Sequence, residues 1–93
     1  MYIAVVLFSH LPLLAQNLSE ADVTALMTKA FQLNQADNFQ EALHGFLKVV
    51  ENTKLQRTEN ERMVYVLSQT MAIMCYERLE QYQEGFILCE KLL

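Results

Sequence analysis

From residue 18 onward the apolar residues of this chain fall at helical spacing, with short polar gaps between the runs. Val23, Leu26, Met27, Ala30, Phe31 and Leu33 recur at intervals of three and four, which predicts a helix with one broad apolar face. Ser19-Glu20-Ala21-Asp22 reads as the capping box at its start. Ser19 is placed to accept from the otherwise orphan amide of Asp22, whose carboxylate also suits the positive helix end. Residues 34–38, "NQADN", have no hydrophobic stripe and are rich in turn formers. Phe39, Ala42, Leu43, Phe46, Leu47, Val49 and Val50 then predict a second helix ending near Asn52 or Thr53. So short a turn makes the two helices antiparallel.

A second capping box, Thr58-Glu59-Asn60-Glu61, opens a third helix. Met63, Val64, Val66, Leu67, Met71, Ile73, Met74, Cys75, Tyr76 and Leu79 make that helix apolar enough to predict burial on more than one side. Glu80-Gln81 provides a turn, and a fourth helix runs from Tyr82 with Phe86, Ile87, Cys89, Leu92 and Leu93. No strand-like alternation occurs. The predicted fold class is all-α, two antiparallel helical hairpins over residues 19–54 and 58–93.

The two hairpins repeat a phrase. "NFQEALHGFLKVV", residues 38–50, returns as "QYQEGFILCEKLL", residues 81–93. Setting Phe39 on Tyr82, an offset of 43, puts Ala42 on Gly85, Phe46 on Cys89, Val49 on Leu92, Ala30 on Ile73 and Leu33 on Tyr76. A fixed period in this range is the mark of a helical array in which each unit buries its apolar face on the next. A small residue at 42 and 85 lets the second helix of each hairpin approach the first closely. The aromatic three places earlier fills the wedge near the turn. The residues expected to carry this packing are Ala30, Leu33, Phe39, Ala42, Phe46, Ile73, Tyr76, Tyr82, Gly85 and Cys89.

These positions resemble the tetratricopeptide repeat (TPR) family. The first copy carries Leu26, Ala30, Leu33, Phe39, Ala42 and Phe46, with Val49 in place of the later alanine. The second carries Ala72, Tyr76, Tyr82, Gly85 and Cys89, with Ile73 and Leu92 where small residues are usual. The resemblance spans residues 21–93. The family's period is about 34 residues; the surplus here lies around "NTKLQRTEN". The resemblance implies an α-solenoid whose first helices, 19–34 and 59–79, line a concave groove for a protein or peptide ligand. Thr24, Thr28, Gln32, Gln69 and Cys75 are the candidate groove residues. It further implies the exported N-terminal sensor or scaffold segment of a larger bacterial signalling protein, as in arrays fused to sensor histidine kinases. The alternative function is a structural protein whose hairpins self-assemble.

The first fifteen residues are a different text. From Tyr2 to Ala15 there is no charge, and only Ser9 and His10 interrupt the apolar run before Pro12. That is shorter than the ~20 residues of a membrane-spanning helix and suits a secretory signal peptide cleaved near Ala15-Gln16. No Lys or Arg precedes it, and Leu13 stands where a small residue is preferred. An apolar N-terminal helix packed on the rest, or a membrane anchor, are the other readings. Export predicts a periplasmic or cell-envelope location, with a cytoplasmic one as the alternative, and would make Asn17-Leu18-Ser19 a glycan position in a eukaryote.

Composition narrows the chemistry. A net charge of −4 with no basic cluster leaves nothing to neutralise phosphates, so nucleic acid is not an expected partner. Cys75 and Cys89 match no zinc spacing and are expected to be small core residues, with pairing across the hairpin left open. Glu41 and His44 stand at i, i+3, a spacing found in metal sites, but one Glu and one His cannot complete such a site and a solvated pair is expected. Ser68 lies mid-helix with no sharp turn to expose it. Gly45 and Gly85 fall inside helices, so no phosphate loop is present. No catalytic residue, cofactor or metal is predicted. Met63, Met71 and Met74 are expected in the core rather than on a plastic partner surface.

The chain stops on "CEKLL" with no capping residue and no polar closing helix. Arrays need about three units and a polar cap. The expectation is that further repeats or a partner subunit cover that end, with a possible membrane link through a missing downstream region.

Overall fold

The computed structural model describes residues 18–92. The expectations for residues 1–15, for Asn17, for Leu93 and for the side chain of Leu92 lie outside the described residues. Four α-helices follow in order: α1 Glu20–Gln35, α2 Phe39–Thr53, α3 Glu59–Arg78 and α4 Tyr82–Leu92. Among the described residues there is no strand.

The starts of α1 and α3 are set by side-chain caps. At α1 the Asp22 amide donates to Ser19 Oγ at 3.1 Å and the Ser19 amide donates to Asp22 Oδ2 at 3.4 Å, a reciprocal capping box. At α3 only half of that motif forms. The Glu61 amide donates to Thr58 Oγ1 at 3.0 Å, but the Glu61 carboxylate reaches one residue further back and accepts from the Arg57 amide at 2.6 Å. Arg57 Nη2 adds a second contact at 2.9 Å, which draws the carboxylate away from Thr58. At α2, Asn38 caps no amide; its Nδ2 donates to Glu41 Oε1 at 2.6 Å.

The two hairpin turns share three backbone hydrogen bonds at equivalent positions, and the Ala36 amide adds a fourth in the first turn, to the Leu33 carbonyl at 3.2 Å. In the first, Ala36, Asp37 and Asn38 donate their amides to the carbonyls of Gln32, Asn34 and Leu33. In the second, Leu79, Glu80 and Gln81 donate to Cys75, Glu77 and Tyr76. Those three donors and acceptors recur 43 residues on. The pattern is a Schellman motif, which sets the residue after the C-cap in the left-handed region. Asp37 at φ 61° and Glu80 at φ 60° occupy that place, although neither is glycine.

Each helix packs on its sequence neighbour, α2 against α3 most extensively. The core gathers Met27 and Ala30 from α1, Ala42, Leu43, Phe46 and Val49 from α2, and Ala72 and Cys75 from α3. Phe31 meets Phe46 edge to face, centroids 5.3 Å apart, a geometry that favours the ring quadrupoles. Two contacts join α1 to α3: Asn60 Nδ2 donates to Glu20 Oε2 at 2.9 Å, and the Cys75 thiol lies 3.9 Å from Asn34 Oδ1. One links start to start and the other end to end, so α1 and α3 run in the same direction.

The surplus over a shorter repeat resides in the linker 54–58 and in α3. Glu59 stands four residues, about one turn, ahead of Met63, the position 43 after Glu20. α3 is buried on the sides that face α2 and α4, but not all round. Met63, Val66, Leu67 and Met74 form an outward stripe and are exposed, because α1, α2 and α4 all lie toward its other sides. The expectation that the methionines belong to the core is corrected accordingly: Met63 and Met74 are exposed and Met71 is half-buried.

Candidate interaction surfaces

The predicted groove residues divide. Thr24, Thr28 and Gln32 lie exposed on α1, while Gln69 and Cys75 are buried, at 1% and 0% exposure. The last two are therefore removed from the groove. They sit on the sides of α3 turned toward its neighbours, in a register that the long helix shifts. Burial pushes the Cys75 thiol above its ordinary pKa, against the smaller opposing pull of Arg78. Cys89 is exposed, contrary to its expected place in the core, and both thiols are free. Gln69 keeps a buried Oε1 with no hydrogen-bond partner.

Among the packing positions, Ala30, Ala42, Phe46 and Gly85 are buried; Leu33, Phe39, Ile73 and Tyr76 are half-buried. Arg78 covers Phe39, its guanidinium carbon 5.4 Å from the ring centroid. Tyr82 and Cys89, expected to pack, are instead open to solvent, Tyr82 at 63% exposure. Phe39 and Phe46 are covered by α3, and among the described residues no helix stands in the corresponding place beside α4. The sequence did not single out Gly45. A Cβ there would lie 3.0 Å from Ala30 Cβ, whereas one at Gly85 would lie 3.2 Å from Tyr76 Cβ. The tightest seat in the first hairpin is thus Gly45, three residues beyond Ala42.

A cavity of about 360 Å³ opens where the starts of α1 and α3 meet the end of α2. Val23, Thr24, Asn52, Thr53, Asn60 and Val64 are among its walls. Thr53 Oγ1 donates to the Val49 carbonyl at 2.8 Å, while Asn52 Oδ1 is buried without a partner. The Glu61 carboxylate at the rim is held below its usual pKa, first by the Arg57 side chain and then by the Arg57 amide. Nothing in this wall is a nucleophile with a base beside it.

Glu41 and His44 do not meet. Glu41 takes Asn38, and His44 Nε2 lies 3.3 Å from Gln40 Nε2. Ser68 is buried, its hydroxyl donating to the Tyr65 carbonyl at 3.0 Å. Among the described residues no three His, Cys, Asp or Glu side chains are grouped to hold a metal ion, and no helix is long and apolar enough to cross a membrane.

The largest feature is apolar. Met63, Val66, Leu67 and Met74 on α3, with Tyr82, Phe86 and Ile87 on α4, are large hydrophobic side chains exposed to solvent. Isolated exposed apolar residues are ordinary, but so many on two adjacent helices make a candidate interaction surface. Comparison with protein-family models, curated proteins and solved structures gives no match.

Proposed function

We propose that this chain is a helical-repeat module of the tetratricopeptide type that binds a protein or peptide partner and performs no catalysis. The observation that carries this reading is the 43-residue recurrence of the hairpin turns, with three backbone hydrogen bonds at equivalent positions. Matching turns followed by equivalent helices are what a stacking unit requires. The shared direction of α1 and α3 supports a continuous side formed by the first helices. On that side Thr24 and Thr28 offer hydroxyl groups to an extended peptide, whereas Gln32, the counterpart of buried Cys75, lies off it. Placement in an exported sensor segment of a bacterial signalling protein is supported by the resemblance and by the apolar text of residues 2–15.

Selection from a displayed peptide library tests the module. An enriched sequence whose binding is lost in Thr24→Arg and Thr28→Arg supports the groove; no enrichment argues against it. Fusing residues 1–20 to a phosphatase active only outside the cytoplasm tests export, with an inactive fusion as the negative result. Self-assembly is the second reading, favoured by the open apolar face of α3 and α4. Light scattering that finds a monomer at micromolar concentration eliminates it.

A further inference from the structure

We infer that the cavity at the starts of α1 and α3 binds a small organic cation, an ammonium group on a short apolar body. The site stands apart from the repeat reading, because much of its wall comes from residues that a shorter repeat would lack. Arg57, Thr58, Asn60 and Glu61 line the cavity, and all four precede Met63, the position 43 after Glu20. They belong to the linker and to the extra first turn of α3. The end of α2 adds Asn52 and Thr53, and α1 adds Glu20, Val23 and Thr24.

At about 360 Å³ the cavity lies at the small end of the roughly 300–1,000 Å³ of small-ligand sites. Leu18, Val23 and Val64 give it apolar surface for a chain or a ring. Its polar atoms are unevenly matched. Three donors are engaged within the protein: Asn52 Nδ2 by the Lys48 carbonyl at 2.9 Å, Thr53 Oγ1 by the Val49 carbonyl at 2.8 Å, and Asn60 Nδ2 by Glu20 Oε2 at 2.9 Å. Arg57 directs both Nε and Nη2 at Glu61. Acceptors are left over. Asn52 Oδ1 is buried without a partner, Thr53 Oγ1 keeps its lone pairs, and the Glu20 carboxylate is met by a neutral amide.

A ligand that answers such a wall brings hydrogen-bond donors and positive charge. An anion fits poorly, although two helices start here. Ser19 and Thr58 already cap those helices, and Glu20, Asp22, Glu59 and Glu61 set carboxylates at their positive ends. Residues 2–15 of the chain itself are a poor occupant too. They match the apolar surface but carry no charge, so the Glu20 carboxylate would go unanswered.

Phenethylamine, 2-phenylethanol and phenylacetate share one apolar body under a cationic, a neutral and an anionic head. Each is titrated into the intact chain, with the NMR shifts of Val23, Asn52, Asn60 and Val64 as the readout. Phenethylamine is expected to saturate with a dissociation constant of about 1 mM or tighter. The alcohol should bind more weakly and phenylacetate should give no saturable shift. Glu20→Gln lowers the affinity for phenethylamine roughly 2- to 5-fold and leaves that for the alcohol unchanged. Asn52→Leu removes the unpartnered acceptor, lowering the affinity about fivefold with the urea midpoint unchanged or higher. Glu84→Gln, beside the far end of α3, has no effect; a loss there equal to that of Glu20→Gln would mean diffuse attraction to an acidic chain and overturn the site. No saturable binding of phenethylamine, tighter binding of phenylacetate, or indifference to both Glu20→Gln and Asn52→Leu also overturns it. Nuclear Overhauser contacts from the Val23 or Val64 methyls to residues 2–15 in the ligand-free chain would do the same, by showing the cavity already filled. Nα-acetyl-lysine methylamide, the same head on a peptide backbone, should bind no tighter than phenethylamine; tighter binding would assign the site to a peptide side chain and overturn the free ligand.

Discussion

Asp37 and Glu80 hold their hairpins in a conformation that glycine adopts freely and other residues avoid by roughly 1–2 kcal/mol. Asp tolerates the left-handed region better than Glu, since its short side chain can bond locally. Glu80→Gly should therefore raise stability by about 0.5–1 kcal/mol, and Asp37→Gly by less, both read as shifts in the urea midpoint. A lower midpoint for Glu80→Gly would contradict the turn geometry. The two thiols differ just as sharply. Cys89 is exposed, whereas Cys75 is buried and kept protonated by its surroundings. A disulfide reagent should label one thiol per chain quickly and the second only at the rate of opening. Two fast thiols would place Cys75 wrongly.

Among the elements, the close approaches of α2 to α1 and of α4 to α3 differ in their freedom to yield. Gly45→Ala sets a methyl 3.0 Å from the Cβ of fully buried Ala30, on α2, which is held between α1 and α3. Strain of about 1–3 kcal/mol outweighs the ~1 kcal/mol gain in helix propensity, so destabilisation is expected. Gly85→Ala meets Tyr76 Cβ at 3.2 Å, and α4 packs on α3 as its main partner and can shift. That variant should be neutral or slightly stabilising in thermal unfolding. At the start of α3, the Arg57 pair holds Glu61 ionised below its unfolded pKa of about 4.3. Its contribution is present above that value and is lost as pH falls through it toward the folded pKa. Glu61→Gln should flatten the acid side of a plot of Tm against pH; an unaltered slope would show the pair to be inert.

The helices and their breaks were legible in the sequence because the three–four period, the Ser19 and Thr58 caps and the turn formers of 34–38 all agree. The open face was less legible. Met63, Val66, Leu67, Met71 and Met74 surround much of α3, so periodicity predicts a deeply buried helix and says little about which side stays open. Side assignment came from packing, and packing put Gln69 inside with an unpaired oxygen. The positive φ of Asp37 and Glu80 also escaped notice, since no glycine marks either turn. Glu61 suits a capping box in sequence, but the competing cation at Arg57 redirects its carboxylate.

At the scale of the molecule, stability is a sum over neighbours: α2 and α3 have two each, α1 and α4 chiefly one each. Amide exchange should accordingly be slower in α2 and α3 than in α1 and α4, and fastest in α4, measured by mass spectrometry on peptic fragments. Equal protection across all four helices would mean a single cooperative unit in place of nearest-neighbour stacking.

The matched turns have a practical consequence. Because the same three amide and three carbonyl positions recur in both, the stretch 38–80 is a cassette whose two ends are interchangeable at the backbone. Duplicating it in frame should lengthen the protein by one more layer and convert the exposed Val66 and Met74 of the first copy into interior residues, without redesigning a single junction.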